Sequence, residues 1–367
     1  MELAPLSEKY GAFYAPAFQV LVSGRDLTHQ LAIDVTQVEV DLSLGAAGRF
    51  SFVVGGAYDL EGRAFVSGLN RQVLEVLTFG ATVEIKLGYG DRSNLPVLFS
   101  GVITEISISF PEGGTPELTV AGYDHAFTMT LGKQSRSWKN WTDTAVVLQL
   151  AAEHGLDPDI EPTLEQHAQI EQNQESDFEF MKKLADRNHC EFYVTEKKAL
   201  RFARPRDGDD GVVTLRWGQG LLSFRPEANL AAQVSKVEVY GWDSAKKQPI
   251  VGRAGAGEES GLDPRRIGAG ARLRQAVGRD AVLQLRQPVF TEAEAKRRAE
   301  AVLSEHAKRF VTGEAECMGL PTLRPDCNVD IAGLGAPFSK TYYVQQTVHK
   351  IDANGYRTRL KVKETSL

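Results

Sequence analysis

The residues that could do chemistry in this sequence are few, and their spacing suits little of it. His189-Cys190 is the most tempting pair, as a base with its nucleophile or as two ligands of a soft metal. Adjacent residues on a strand point to opposite faces, so the two cannot easily share a metal or exchange a proton. A helix–strand junction, one side chain in and one out, is the expected setting. Cys317 and Cys327 fall in separate β segments and are expected as small buried hydrophobes. His125 follows Tyr123-Asp124 at the end of a hairpin, where a structural role is expected, and no G-x-S-x-G motif accompanies it. His154 and His167 lack the H-E-x-x-H spacing that puts two imidazoles on one helical face.

Asp207-Gly208-Asp209-Asp210-Gly211 has the look of a calcium loop but not the EF-hand spacing or its distal bidentate glutamate, so a solvated turn is expected. Gly88-Tyr89-Gly90 and Gly218-Gln219-Gly220 match neither a dinucleotide fingerprint nor a P-loop, and both lie among strands where turns use glycine. Paired carboxylates for glycoside hydrolysis can be distant in a chain, and nothing selects one pair here. Arg265-Arg266 is placed to meet an acidic partner, and Arg297-Arg298 to decorate the solvated face of a helix. The expectation is therefore a protein that is not an enzyme, with no catalytic residue, no metal and no cofactor.

The elements that carry these residues come in three styles. To about Asp124 the chain is written in period two, as in Val38–Leu42, Val83–Leu87 and Ile106–Phe110, with Gly and Pro clusters between the runs. Pro111 to Pro116 joins Val102–Phe110 to Glu117–Gly122 as a long hairpin, and Leu69 to Leu77 suits a short helical turn. Such strands point to a small antiparallel barrel or sandwich. From Ser137 the pattern changes. Thr142-Asp143 can cap a helix bearing Val146, Val147, Leu150 and Ala151, with Gly155 to end it. Ser176 and Glu179 form the S-x-x-E of a capping box ahead of Phe180, Met181, Leu184 and Ala185. Two strand-like pieces, Glu191–Val194 and Leu200–Phe202, follow.

Alternation returns from Val212 and is clearest at Val234 to Tyr240. Residues 243–278 are rich in Gly, Arg, Ala and Glu with little periodicity, and are expected as a long exposed excursion. A helix capped by Thr291 and Glu294 comes next, then strands near 311–318, 327–332, 341–351 and 356–363, with a tight turn at Asn354-Gly355. The two β regions have the look of distant copies: Leu98-Phe99-Ser100-Gly101 and Pro337-Phe338-Ser339-Lys340 each lead into a hairpin. The predicted fold is mainly β with an α+β insert, two small antiparallel β-barrels flanking and joined by an α+β domain. Its expected divisions are 1–130 for the first barrel, 131–205 for the α+β domain, 206–245 with 311–367 for the second barrel, and 246–310 for the excursion and helix. Ile106, Ile108, Tyr342 and Val344 are candidates for barrel core or for contacts between barrels.

Composition bounds the functional classes. A chain of 367 residues with 42% hydrophobic and 25% charged residues has ordinary globular composition and room for two or three domains. A net charge of -6 provides no overall basic field for nucleic acid. Residues 1–18 lack a basic region followed by an apolar core, and no apolar run is long enough to cross a bilayer, so neither a secretory signal nor stable membrane insertion is expected. Three cysteines, an odd number without C-x-x-C, fit a protein made in a reducing compartment such as the bacterial cytoplasm.

One ordered series of residues goes further. It runs through Tyr123-Asp124-His125, Ser135-Arg136-Ser137-Trp138, His154-Gly155-Leu156 and His167 to Gln172. It continues in Glu175–Ala185, then Cys190–Val194 and Leu200-Arg201-Phe202. Its core, with Gln172, Ser176, Asp177, Phe178, Phe180, Leu184 and Ala185, resembles the phage late control protein D family, which includes the VgrG hub region and resembles the T4-like baseplate hub. Gly319-Leu320-Pro321, Leu323, Pro325, Phe338-Ser339, Tyr342-Tyr343-Val344 and Gly355-Tyr356 with Thr358 look like that family's second barrel. The resemblance covers about residues 15–245 and 285–365 and leaves 246–280 uncovered.

What the resemblance implies is a structural baseplate hub of a contractile, phage-tail-like injection system. It implies a homotrimer whose two barrels per chain form a pseudo-hexameric ring, adapting a six-fold inner tube to a three-fold spike. The implied partners are other copies of the chain, the inner tube protein, other baseplate components and a spike expected on a separate polypeptide, since the longer VgrG pattern continues beyond the point where this sequence stops. Two alternatives stand beside it: a cell-wall hydrolase carried on a tail hub, and a free-standing β binding module.

Overall fold

Alternating valines and phenylalanines build the first sheet. In the computed structural model, which describes residues 5, 6, 8, 13–243, 246–263 and 266–367, the N-terminal strands are β1 (Pro16–Val22), β2 (Arg25–Asp26), β3 (Val35–Ser43), β4 (Arg49–Val54), β5 (Tyr58–Asp59), β6 (Ala64–Phe65), β7 (Thr82–Tyr89), β8 (Val97–Ser109) and β9 (Glu117–Asp124). They form an antiparallel sheet in the order β2-β1-β7-β8-β9-β4-β3, with β5 and β6 a separate small hairpin. Val38, Val40, Phe50, Phe52, Ile85 and Leu87 lie on the buried face, as period two requires. The Leu69–Leu77 segment contains one short helical turn at Val73–Val76, with Val73 and Leu77 buried and Leu69 and Leu74 exposed.

The central unit contains β10 (Gln134–Thr142), a helix at Asp143–Glu153, β11 (Asp157–Ile160), β12 (Gln166–Glu175), a helix at Asp177–Asn188, β13 (Glu191–Val194) and β14 (Ala199–Ala203). Both helices start where their caps predict. Thr142 Oγ1 accepts from the Ala145 amide at 3.1 Å, and Ser176 and Glu179 make a reciprocal capping box. The sequence pattern did not announce the β10–β12 ribbon, which is polar on most of its surface.

The second β region is a closed barrel. Its strands are β15 (Gly211–Trp217), β16 (Gly220–Ala228), β20 (Val311–Met318), β21 (Asn328–Ala332), β22 (Lys340–Asp352) and β23 (Gly355–Glu364), and β22–β23 pairing closes the ring. β15 and β16 join only at Arg216–Trp217 and Gly220–Leu221, around a corner where Gly218 and Gly220 take φ of 78° and 85°. The turn at Asn354-Gly355 joins β22 to β23. The first sheet does not close on itself through backbone pairing among the described residues. Instead its edge strand β3 pairs with β22, from Val38↔Ile351 to Ser43↔Gln346, so both β regions belong to one sheet and share one hydrophobic core.

Residues 246–280 depart from expectation. Between β17 (Lys236–Asp243) and β19 (Val282–Arg286) the chain forms β18 (Gln248–Gly255) and a helix at Ala269–Val277, not an exposed excursion. β17, expected in the second barrel, pairs instead with β18 and β19 in a small sheet of order β18-β17-β19. The Glu292–Ala307 helix covers one face, and Val237, Val239, Ile250, Ala254, Ala295, Ala299 and Leu303 form a separate core. The small residues that suggested a loop are there for close packing. A Cβ on Gly252 would sit 2.1 Å from the backbone carbonyl carbon of Ala295.

Candidate assembly interface

The resemblance motif is a packing and capping device at the start of one helix. Gln172, 2% exposed, donates through Nε2 to Asp177 Oδ1 at 2.8 Å and to the Glu175 carbonyl at 3.1 Å. Asp177 Oδ2 also meets His154 Nε2 at 2.9 Å and Arg136 at 3.6 Å. His154 Nδ1 then reaches Thr128 Oγ1 at 3.0 Å. The Asp177 carboxylate thus sits at the N-terminal, positive end of its helix with cationic or donor groups on every side. Phe178 packs on Phe192 with ring centroids 4.9 Å apart, and Phe180 stacks on Trp138 at 5.5 Å. Leu184 and Ala185 are buried beneath. Arg136, Trp138, His154, Gln172 and Asp177, scattered over more than forty positions, meet at one place.

The second motif series converges on His349. This imidazole is fully buried, with Nδ1 near Tyr356 Oη (2.9 Å) and Thr358 Oγ1 (3.1 Å), and Nε2 3.0 Å from the Leu323 carbonyl. Since a carbonyl only accepts, the neutral tautomer carries its proton on Nε2. Burial holds the pKa of His349 down at about 3. Thr358 Oγ1 also accepts from the Leu320 amide, and the Tyr356 ring lies over Gly319, where a Cβ would come within 2.0 Å of the ring. Tyr356 also meets Tyr89 of β7 at 5.7 Å, so this cluster ties the barrel to the first sheet.

The loop joining β20 to β21 contains two residues that sequence reasoning passed over. Asp326, 1% exposed, accepts from Tyr343 Oη at 2.9 Å, the Arg206 amide at 2.9 Å, and Tyr193 Oη and Arg201 Nε at 3.3 Å each. It therefore links the barrel to the α+β unit and to the segment leaving it. Arg324 pairs with Glu196 at 2.5 Å and donates to the Val97 carbonyl of β8 at 2.8 Å, adding the first sheet to the same joint. Nothing local marks either residue, since apart from Tyr343 their partners lie more than a hundred positions away. Asp143, also buried, takes Arg187 and Asn188 as donors, with His167 at 3.6 Å.

The tempting chemical residues occupy structural positions. His189 is the left-handed C-cap of its helix, at φ 55°, and Cys190 precedes β13, so the pair lies at a junction and not along one strand. Burial pushes the Cys190 thiol up to about 12 and that of Cys327 to about 11; all three cysteines are free. His125 Nε2 meets Ser100 Oγ at 3.0 Å. In the aspartate-rich turn, Asp207 bridges Lys308 and Ser260 at 2.7 Å each, and Asn328 Nδ2 holds the Arg206 and Asp209 carbonyls. No group of three or more His, Cys, Asp or Glu that could hold a metal ion occurs among the described residues. Arg265 lies outside the described residues. Arg297 and Arg298 do not merely decorate a solvated face: Arg297 pairs with Glu165, and Arg298 donates to the Asp186 carbonyl, both on the α+β unit. Of the four barrel candidates, Tyr342 and Val344 are fully buried, Ile106 is partly buried against the shared core, and Ile108 is 38% exposed. No helix among the described residues is long and apolar enough to cross a membrane.

With this geometry in place, comparison with known proteins adds a family. The profile described as the Alg8 N-terminal domain matches residues 16–353. The chain belongs to the Alg8 N-terminal domain family. A search of curated proteins returns no match. Among solved structures, the chain is similar to a 43 kDa tail protein of prophage MuSo2 from Shewanella oneidensis, at 14% identity and TM-score 0.70, over 95% of this chain and 98% of that one. A tail protein from Neisseria meningitidis gives 14% identity and TM-score 0.68, over 96% and 97%. An E. coli protein described as a component of the type VI secretion system gives 12% identity and TM-score 0.56, over 95% and 77%. At such identities the likeness is one of fold, and the fold is that of phage tail proteins. It agrees with the tail-hub resemblance of the motif series.

Proposed function

We propose that this chain is a non-enzymatic hub subunit in the baseplate of a contractile, phage-tail-like injection system, built into a tail-like particle. It assembles as a homotrimer, and each copy supplies two barrel-like units to a ring of pseudo-six-fold symmetry between a six-fold inner tube and a three-fold spike. The segment up to residue 130 supplies one unit, and the strands of 211–228 and 311–364 supply the other. The observation that carries this reading is the β3–β22 pairing, which joins two β units edge to edge within one sheet. A symmetry adapter needs its two units held in a constant relation, and backbone pairing over six residue pairs does that more rigidly than a linker. The tail-protein fold of the structural neighbours supports the same placement. Ile108 and Phe110, exposed at the end of the β8–β9 hairpin, are the contact we assign between neighbouring units, with the partly buried Ile106 behind them and Tyr342 and Val344 in the barrel core.

The test is the mass of the purified chain by light scattering, together with co-purification of tube and spike proteins from cells that make particles. Three copies per assembly and recovery of both partners are expected. A strict monomer that binds neither partner refutes the hub reading, and clearing of a peptidoglycan substrate by the purified chain refutes its non-enzymatic half.

A further inference from the structure

The small β18-β17-β19 sheet is covered by a helix on one face only. Its other face carries, strand by strand, Arg253–Glu238–Gln284, Val251–Tyr240–Arg286 and Pro249–Trp242, with Lys236 beside Val282. Glu238 is 8% exposed, yet it lies on this open face, because its neighbours enclose it. Tyr240 Oη donates to it at 2.7 Å, Lys236 pairs with it at 2.8 Å, Gln284 Nε2 donates at 3.1 Å and Arg253 Nε lies at 3.4 Å. These donors hold the carboxyl well below the usual range, at about 2. The one anion on the face is therefore engaged several times over, against three cations: Lys236, Arg253 and Arg286. Arg286 is exposed and has no partner among the described residues. On the same face, Trp242 is 60% and Val282 45% exposed. The face is thus cationic in a chain whose net charge is -6.

β19 is also a backbone edge. It pairs with β17 alone, so its outer amides and carbonyls have no strand beside them among the described residues. No proline or inward-pointing charge guards it. An unguarded edge of alternating Val282, Gln284 and Arg286 is a template for strand addition, with backbone hydrogen bonds giving affinity and alternate side chains giving specificity.

We infer that β19 binds an extended, acidic segment of a partner protein as an added strand, with a carboxylate opposite Arg286 and an aliphatic side chain opposite Val282. Placed within the proposed assembly, the segment belongs to another baseplate component, and in that respect the inference rests on the hub reading. The binding itself does not depend on trimer formation.

The test titrates the full chain with a labelled synthetic peptide of alternating Glu and Val, read by fluorescence anisotropy. Three comparisons accompany it: the same peptide N-methylated at alternate amides, a Lys/Val peptide, and the variant Arg286→Glu. Expected are binding of the Glu/Val peptide, loss on N-methylation, about tenfold weaker binding to Arg286→Glu, and a switch of that variant to the Lys/Val peptide. No binding of the Glu/Val peptide, or binding indifferent to N-methylation or to Arg286→Glu, overturns the inference. Binding of a neutral oligosaccharide at Trp242 in place of the peptide overturns it too. A chain that binds the peptide but stays monomeric and recovers neither tube nor spike protein refutes the hub reading and leaves this inference standing.

Discussion

Acidification should weaken this fold through His349, and the size of the effect follows from its surroundings. In the folded chain the imidazole is fully buried among Tyr356, Thr358 and the Leu323 carbonyl, and its pKa is about 3, against 6.5 when exposed. Between those values the unfolded chain binds a proton that the folded chain refuses. Stability from this group is therefore complete above pH 6.5 and falls as pH drops toward 3. At pH 5 the deficit is about 2 kcal/mol and at pH 4 about 3 kcal/mol, each unit being worth ~1.4 kcal/mol. Other groups titrate over the same range, so the quantity to measure is a difference. Urea denaturation of the wild type and of His349→Gln should be followed at pH 7.5, 5 and 4. Glutamine keeps a donor for Leu323 and an acceptor for the two hydroxyls but takes no proton. The wild type should hold its full advantage at pH 7.5 and lose about 2 kcal/mol of it by pH 5. A difference between the two proteins that stays constant from pH 7.5 to 4 would refute the buried, neutral imidazole.

Other residues give sharper local tests. Asp326→Ala removes the acceptor shared by Tyr343, Tyr193, Arg201 and the Arg206 amide, and should cost about 3–5 kcal/mol in thermal or urea unfolding. A double-mutant cycle with Tyr343→Phe should show coupling of about 1 kcal/mol, and strict additivity would remove Asp326 from the joint. Ser176→Ala breaks the capping box of the Asp177–Asn188 helix and should cost about 1 kcal/mol, with Ser176→Thr restoring most of it. Gly252→Val drives side-chain atoms into the backbone of the Glu292–Ala307 helix, so limited proteolysis should cut 246–280 faster than in the wild type while leaving the barrel intact. Equal cleavage of both proteins would mean that strand and helix are not in contact. At pH 8 a thiol reagent should label Cys190 slowly, because burial holds its pKa at about 12; rapid labelling of the native chain would contradict that burial.

Much of the local architecture is legible in the amino-acid sequence, because its causes are local. Period-two runs such as Val83–Leu87 define strands and their buried faces, and Thr142, Ser176 and Thr291 begin helices by supplying oxygens to free amides. The tail-hub resemblance is legible too, since Gln172, Asp177 and Phe180 fall within fourteen positions and cap and pack one helix. Tertiary structure alone decided the rest. The fusion of β3 to β22 pairs residues some three hundred positions apart, and pairing at that range leaves no mark in either strand. Asp326 looks like any loop aspartate until four donors from two other segments surround it. Gly252 and Ala254 carry the composition of a loop, because a strand pressed against a helix backbone needs the same small side chains that a loop tolerates. The chain's own residues thus specify which segments are strands and helices and what caps them. Which edges meet, which carboxylates are buried and which face stays open depend on contacts that exist only once the whole chain has folded.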